Sequence, residues 1–471
     1  MLVKLKNYVQ KRMVTELSFG RGMLMWATLL LGYFLFVTAW FSAGNTAGNG
    51  TAASGGWQNF FFGGPVDTVV NEAVNYGITF FRGIGSFLVG WAVVKITHRY
   101  TSLVAMILLA MAIPSVAIGY AVGGTAGFVI FIIFRAMLAV GGTTLIVLLQ
   151  PVAAKSIKNP TTKGIISTIN PYGFNTAFIL MAALFTDSSV ARTLRENWFV
   201  FSLVFALLTL IPLTIYVFTG KNFTTSKPVD AKDKGPKITM MSVLKEKNTW
   251  KWVAVYSVWL VAAVIPILGG LNNPAFFGST KTTGISQGSV VSAQWLALGG
   301  NLTNNTLTSI WSILFVGGVY VGSLTIGRWN KTSFKRKPFM VLVTALMVFF
   351  FIMSIISLAY IHWSVYLIFG FLFGVLLWGI QGVLLNSPHE APQNTPEKVG
   401  LFFGVIWGMG YIVFTLVNVV LALIVDVSPI AYFVVLVLII ALLPILLMFV
   451  DETKPEGALY PSKKRKAAKL A

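Results

Sequence analysis

The sequence contains no cysteine, and only three of its 471 residues are histidine. The missing thiols exclude disulfides, cysteine nucleophiles and zinc sites built on thiolates. The histidines are His98, His362 and His389, which lie far apart along the chain, so we expect no metal site and no bound cofactor. Acidic residues are scarce as well, with 14 Asp and Glu against 35 Lys and Arg. The pattern contains no convergent nucleophile, acid and base, and it therefore predicts no enzyme.

Long apolar segments dominate the rest of the chain. Hydrophobic residues make up 56% of the sequence and charged residues only 10%, which is typical of a polytopic membrane protein. Twelve segments each approach the ~20 residues that a helix needs to cross a bilayer. These predicted spans 1 to 12 cover residues 23–43, 67–94, 101–122, 126–153, 164–186, 197–219, 250–271, 307–327, 338–361, 364–387, 399–425 and 428–450. We therefore expect an all-α polytopic membrane protein.

The distribution of cations predicts the orientation of these spans. With both termini in the cytoplasm, 30 of the 35 Lys and Arg residues fall in inner segments, three fall in outer loops, and Arg82 and Arg135 lie within spans. Such an excess marks the cytoplasmic side of a membrane. The net charge of +21 resides in short turns between apolar helices, so we expect membrane lipids rather than nucleic acid as its partner. The sequence predicts a multi-pass protein of a bacterial plasma membrane with cytoplasmic termini.

The longest inner loop, residues 220–249, is polar and rich in lysine, and it follows the sixth span. Weak internal similarity relates the two sides of this loop: Gln150 leads to Lys163, and Asn386 leads to Lys398 at nearly the same spacing. Weak repeats of this kind are expected of transporters built from duplicated bundles. We predict a basic amphipathic segment at 1–22, a six-helix bundle at 23–219, a linker at 220–249, a second six-helix bundle at 250–450 and a basic tail at 451–471.

Span 2 carries a polar stripe formed by Glu72, Asn75, Thr79, Arg82 and Ser86. Their spacings of three and four residues put them on one face of a helix. This face must contact protein or water, because lipid satisfies no hydrogen bonds. Arg82 lies near the middle of the span, where a charged side chain indicates a functional site.

The turn between spans 2 and 3, together with the twelve spans and the long central loop, resembles the major facilitator superfamily. The signature turn of that family reads Gly-x-Leu-Ala-Asp-Arg-x-Gly-Arg-Lys/Arg. The matching positions are Gly90 for the first glycine, Lys95 for the first basic residue, and His98 with Arg99 for the closing pair. Val94 replaces the aspartate of the family and Thr97 replaces its second glycine. The corresponding turn after span 8 keeps Gly322 and Lys331, again without an aspartate.

The resemblance implies two six-helix bundles and secondary transport of a small solute by alternating access, and we expect a monomer. It also implies an inner gate formed by Gly90, Lys95, Arg99, Gly322 and Lys331. In the family, spans 1, 4, 7 and 10 line the central cavity and spans 2, 5, 8 and 11 flank it. Arg135 of span 4 matches an arginine that the family often has there, so the resemblance implies that Arg135 faces the cavity and Arg82 its wall.

Arg82 and Arg135 are the basic residues deep within the predicted spans, and no Asp or Glu lies equally deep. Buried charges need partners, and arginine suits carboxylates and phosphates. The sequence thus predicts an anionic solute, such as a phosphorylated sugar or an organic acid. A structural alternative remains, in which Arg82 bonds backbone carbonyls or Glu72 and Arg135 stabilises the bundle. Glu72 is the one candidate for a proton relay, so facilitated diffusion, anion exchange and proton coupling all stay open.

Further polar and aromatic positions on the spans are candidates for contact with the solute, with helix packing as the alternative for each. The predicted substrate-binding residues are Arg82, Arg135, Asn75, Thr79, Tyr33, Asn170, Tyr256, Trp259, Trp378, Gln381, Trp407 and Tyr411. Two other functions also fit these residues. They are an exporter of hydrophobic drugs or lipids and a facilitator for a neutral sugar.

Overall fold

The computed structural model describes residues 17–459 apart from the ranges 49–54, 160–161, 163–165, 167–168, 224–239, 269–303 and 391–395 and the single residues 65 and 361. This part of the chain is nearly all helical. Most of the predicted N-terminal segment, linker and basic tail lie outside the described residues, so those assignments stay predictions.

The chain splits into two compact units. Unit 1 comprises Met1–Thr239, Thr280–Gly284 and Trp407–Asp426, and unit 2 comprises Met240–Ser279, Ile285–Ile406 and Val427–Ala471. The first boundary falls inside the predicted linker. Span 11 differs from the predicted division, because its residues from Trp407 onward group with unit 1. The assignment of six spans to each bundle stays a prediction.

The helices of unit 1 account for predicted spans 1 to 6. They are Phe19–Asn45, Trp57–Phe62, Thr68–Asn71, Ala73–Leu109, Ala112–Val122, Gly124–Ser156, Tyr172–Leu184, Ser188–Glu196, Trp198–Leu208 and Leu210–Thr219. Of these, Ala73–Leu109 contains most of span 2 and the first part of span 3, and its helical backbone is interrupted at Thr97. The predicted turn between spans 2 and 3 lies at this interruption.

Unit 2 contains the remaining helices, together with the first residues of span 11, up to Ile406. They are Met240–Leu244, Lys247–Val264, Asn304–Leu324, Lys337–Tyr360, Trp363–Glu390, the first part of Pro396–Val427, and Pro429–Phe449, with short 3₁₀ helices at Ile265–Ile267 and Ile326–Lys331. Local chemistry explains where the last helix begins. Ser428 Oγ accepts a hydrogen bond of 3.2 Å from the Ala431 amide, and Pro429 occupies the first helical position, where its missing N–H costs nothing.

In the described residues, eleven helices are long and apolar enough to cross a membrane, and the number is twelve if the bent pair Tyr172–Leu184 and Ser189–Glu196 counts as one span. The predicted fold class is confirmed, whereas the side of the membrane on which the termini lie stays a prediction. At the end of span 5 the chain bends by 100° between the helix Tyr172–Leu184 and the helix that follows it. Asp187 causes a new helix to begin there by accepting hydrogen bonds from the amides of Ser189 and Val190.

The C-terminal end of span 1 is held by the short helix Trp57–Phe62. The Trp57 indole donates a hydrogen bond of 2.8 Å to the Ala43 carbonyl, and the Trp57 amide donates one of 3.1 Å to Thr46. Trp57 is fully buried in an aromatic cluster with Phe61, Phe128, Phe131 and Trp198. These contacts fix span 1, whose inward face carries the residues of the candidate site.

Candidate functional site

One face of span 1 carries three aromatic residues at intervals of seven positions, which is two helical turns. Each of them shares a hydrogen bond with a polar residue of another segment. The pairs are Trp26 with Asn170 at 2.9 Å, Tyr33 with Arg82 at 3.2 Å, and Trp40 with Asn75 at 2.9 Å. Polar side chains of span 2 and of span 5, the latter just before its helix Tyr172–Leu184, are thereby held against span 1. Arg82 is at the middle of this row.

Aromatic rings surround the Arg82 guanidinium on several sides. Its central carbon lies 4.5 Å from the centre of the Tyr411 ring, 5.4 Å from Trp40, 5.6 Å from Phe36 and 5.8 Å from Phe174. Cation–π attraction of this kind gains strength where water is excluded, and Arg82 is only 2% exposed. Spans 1, 2, 5 and 11 each contribute to this enclosure.

The hydrogen bonds of Arg82 are incomplete within the described part of the chain. Nη2 donates to the Tyr33 hydroxyl at 3.2 Å, but Nε and Nη1 have no hydrogen-bond partner among the described residues. No carboxylate of those residues forms an ion pair with Arg82. A buried guanidinium with free N–H groups and no counter-charge has capacity for an added acceptor.

The polar stripe of span 2 faces protein. Asn75, Thr79, Arg82 and Ser86 are all buried. Asn75 Nδ2 donates a hydrogen bond of 2.8 Å to Glu72 while its Oδ1 accepts from Trp40. The Glu72 carboxylate is therefore paired with the amide of Asn75, one helical turn further along the chain.

Span 2 also packs closely against the part of span 11 that belongs to unit 1. The hydroxyl oxygens of Thr79 and Thr415 are 2.8 Å apart. A Cβ added to Gly83 would lie 2.7 Å from the Gly408 carbonyl oxygen, so only glycine permits this approach. The contact brings Tyr411 over Arg82.

Arg135 has a different environment. It is 2% exposed, and its guanidinium donates to the carbonyl oxygens of Ala39 at 3.5 Å, Trp40 at 3.1 Å and Val74 at 3.4 Å. These bonds tie span 4 to the end of span 1 and the start of span 2. The arrangement favours the structural alternative for Arg135, and its contact with a solute stays a prediction.

The predicted residues of unit 2 form a cluster of their own. The ring centres of Tyr256 and Trp259 are 6.3 Å apart, and those of Trp259 and Trp378 are 5.9 Å apart. Gln381 of the same span as Trp378 is half-buried. In unit 1, the half-buried Trp407 contacts Tyr411 with 5.8 Å between ring centres. The role of these residues in binding stays a prediction.

The contacts of Arg99 and Arg21 show which groups hold the cations near the signature turn, where the aspartate of the family is missing. Arg99 donates a hydrogen bond of 3.2 Å to the Val217 carbonyl, and Arg21 donates to Phe218 and Thr219 at 3.0 and 2.9 Å. All three carbonyls belong to the last turn of the helix Leu210–Thr219, where cations are favoured.

Of the other gate candidates, Gly90 and Lys95 are exposed. Gly322 packs against Val375 of span 10, and the Lys331 side chain lies outside the described ones.

Sequence reasoning missed two groups of residues. Phe36 and Phe174 beside Arg82 were not predicted, although the seven-residue repeat of Trp26, Tyr33 and Trp40 marks the face from which Phe36 extends. The second group lies in unit 2, where Arg336 and Lys454 contact Glu390. Its members are far apart in sequence, and no local pattern joins them.

Comparison with known proteins identifies the family. A family model described as "Mycoplasma MFS transporter" matches residues 131–426. The chain belongs to the major facilitator superfamily. An uncharacterized protein of Mesomycoplasma hyopneumoniae is 34% identical over 441 residues, which is 89% of this chain and 84% of that protein.

A second relative, a major facilitator superfamily transporter of Mycoplasma pneumoniae, is 26% identical, with 83% of this chain and 84% of that protein covered. The crystal structure of a D-xylose-proton symporter has a TM-score of 0.62 and 13% identity, covering 93% of this chain and 99% of that one. This likeness shows the fold alone. The family match and the named relatives make this major facilitator a secondary transporter of a small solute in the plasma membrane.

Proposed function

We propose that this transporter carries a small anion, such as a phosphorylated sugar or an organic acid, by alternating access. In this proposal Arg82 binds the negatively charged group of the solute. The observation that carries the proposal is the Arg82 guanidinium itself, which is buried without a carboxylate partner among the described residues and keeps Nε and Nη1 free.

The energetics of a buried cation support an anionic solute. The surrounding rings offset part of the cost of removing the guanidinium from water, at about 2 kcal/mol for a desolvated contact. A hydrogen bond to a charged group contributes about 1.5–3 kcal/mol. An anion that accepts from Nε and Nη1 supplies both the missing charge and the missing acceptors.

Two amides of the span 5 region add further donors. Asn170 and Asn175 are buried, and the Nδ2 group of each has no hydrogen-bond partner among the described residues. Unsatisfied donors of this kind suit a solute rich in oxygen acceptors. Both carboxylates and phosphorylated sugars have that property.

A neutral sugar is the second candidate. It is favoured by the aromatic cluster of Tyr256, Trp259 and Trp378 in unit 2, because amphipathic rings beside an amide suit the mixed polar and apolar faces of a sugar. In that case Arg82 is a structural residue held by its rings and by Tyr33.

Uptake into proteoliposomes distinguishes the candidates. Each probe is offered with a neutral counterpart, such as glucose 6-phosphate with glucose and succinate with succinamide. We expect saturable uptake of at least one anion and much slower uptake of its counterpart. Uptake of the neutral sugars alone would overturn the anion assignment, and transport of apolar dyes alone would identify an exporter.

We also propose that the transporter works as a monomer with both termini in the cytoplasm. The 30-to-3 distribution of cations supports this orientation. Single cysteines replacing Ser226 and Ser279 in this cysteine-free chain should react with impermeant reagents from opposite sides of the membrane. Labelling of both from the same side would contradict the topology.

A further inference from the structure

Tyr411 has the closest ring to the Arg82 guanidinium, at 4.5 Å. We propose that Tyr411 competes with the transported anion for Arg82, so that binding of the anion releases span 11 from span 2. The inference rests on the proposed function, since it takes the anion site at Arg82 as given. It adds a means by which occupancy of that site changes the position of a helix.

The four rings around Arg82 are not equally fixed. Phe36 and Trp40 of span 1 lie 5.9 Å apart, and Trp40 lies 6.2 Å from Phe174 of span 5, so these three rings support one another within the bundle. Tyr411 approaches from span 11, and its ring contacts Trp407 of its own helix. In the described residues Tyr411 contacts no ring of another helix, so its displacement breaks no ring-to-ring contact between helices.

Access to Arg82 requires such a displacement. Arg82 is 2% exposed and Tyr411 is 3% exposed, so an anion cannot reach Nε or Nη1 while every neighbour stays in position. An ionised acceptor attracts a guanidinium more strongly than the face of a ring does. Once the anion has neutralised Arg82, the attraction that holds Tyr411 there is weakened.

The contact of Tyr411 belongs to a short seam between spans 2 and 11. Gly408, Tyr411 and Thr415 are spaced by three and four residues and so share one helical face. They contact Gly83, Arg82 and Thr79, respectively. Beyond this seam the same helix continues toward Pro396. Loss of the contact between Tyr411 and Arg82, at the centre of the seam, therefore weakens the packing of span 2 against this face of span 11.

Oxidative cross-linking measures this hold directly. Cysteines replacing Thr79 and Thr415 put two thiols where the parent hydroxyls are 2.8 Å apart, in a chain that has no other cysteine. Without ligand, we expect Tyr411→Leu to slow cross-linking by about tenfold, because the cation–π contact is lost. Tyr411→Phe keeps the ring and serves as the matched control, with a rate within about twofold of the parent.

The second arm adds glucose 6-phosphate or succinate, with binding to each variant measured by calorimetry in parallel. We expect the anion to slow cross-linking in the parent pair and to leave the slow rate of Tyr411→Leu unchanged. We also expect Tyr411→Leu to bind the anion more tightly, because its competitor is gone.

Two results overturn the inference alone. They are a cross-linking rate in Tyr411→Leu equal to that of the parent, and an anion that binds without changing the parent rate. Absence of calorimetric binding by both anions overturns the proposed function and the competition with it. The two failures are therefore distinguishable.

Discussion

Arg336 donates hydrogen bonds of 2.7 Å to both carboxylate oxygens of Glu390, and the Arg336 side chain is completely buried. Lys454 approaches the same carboxylate to 3.0 Å and also donates to the Thr332 carbonyl. These bonds join the segment before span 9 to the end of span 10 and to the chain that follows span 12. One end of unit 2 is thus held by a cluster of charges around the buried Arg336 guanidinium.

Glu390→Gln should destabilise unit 2, because it leaves the buried Arg336 without its counter-charge. Breaking a buried ion pair in this way costs about 3–5 kcal/mol, measured as the free energy of unfolding in detergent. Asp451→Asn is the matched control, since the Lys251–Asp451 pair is exposed, with 39% and 65% of the two side chains accessible. That variant should lose less than about 1 kcal/mol. Equal small losses for both variants would contradict a structural role for Glu390.

The same cluster predicts a dependence of stability on pH. Burial of the Glu390 carboxyl raises its pKa, but hydrogen bonds and charges from Arg336 and Lys454 outweigh burial and hold the pKa below the ordinary value of 4.5. Because the folded pKa is lowered, the stabilisation is present above about pH 4.5 and is lost as the pH falls through the folded pKa. Thermal unfolding followed from pH 7 to pH 3 should show this loss in the parent protein. Glu390→Gln should lose less stability over the same pH range. Identical pH profiles for the two proteins would contradict the role of the Glu390 carboxylate in this loss.

Thr97 has a backbone conformation that favours glycine, with φ of 73° and ψ of 165°. The strain costs about 1–3 kcal/mol, and a hydrogen bond of 2.7 Å from Thr97 to Asn222 offsets about 1 kcal/mol of it. Thr97→Gly should therefore leave the protein as stable as the parent or more so. Thr97→Ala keeps the strain, loses the hydrogen bond and should be less stable by about 1 kcal/mol. Thermal unfolding of the pair checks this, and a stabilising Thr97→Ala would contradict it.

Gly322 was predicted from the signature turn to act in the inner gate, and it packs against span 10. A Cβ there would clash with the Val375 carbonyl and lie 2.8 Å from the Gly379 amide nitrogen. Gly322→Ala should therefore lower stability by about 1–3 kcal/mol and slow uptake. Gly317 is on the same helix with open space around it, so Gly317→Ala should be neutral or stabilising. Normal stability with slow uptake in Gly322→Ala would instead identify a gating residue.

The sequence predicted those features that depend on neighbours along the chain. Apolar runs predicted the spans, and the spacing from Glu72 to Ser86 predicted that Arg82 is buried with a polar stripe. The replacement of a family glycine by Thr97 coincides with the residue of positive φ. Local pattern was enough for the spans and the stripe, whereas the backbone conformation of Thr97 was not predicted.

Features that depend on distant parts of the chain were not predictable in this way. Tyr411 lies over Arg82 because span 11 packs on span 2 through Gly83 and Gly408, and nothing local to Arg82 specifies that contact. Arg336 was counted among the cations of an inner loop. Its burial depends on Glu390, which is 54 positions away.

The central claim is that Arg82 binds the negative charge of the solute, and calorimetric binding to purified variants tests it most directly. The ligands are the anion that the transporter takes up and its neutral counterpart, and the variants are Arg82→Ala, Arg82→Lys and Arg99→Ala. Arg99 serves as the charge-matched control, because it bonds a carbonyl at the end of span 6.

Arg82→Ala should weaken binding of the anion by about ten- to a hundredfold, as expected for loss of a charge-assisted contact. It should leave the neutral counterpart unaffected. Arg82→Lys should recover part of the affinity, since an ammonium keeps the charge and loses the planar fork, and Arg99→Ala should bind nearly as the parent does. If Arg82→Ala folds and binds both ligands as the parent protein does, Arg82 is a structural residue and the anion assignment is wrong.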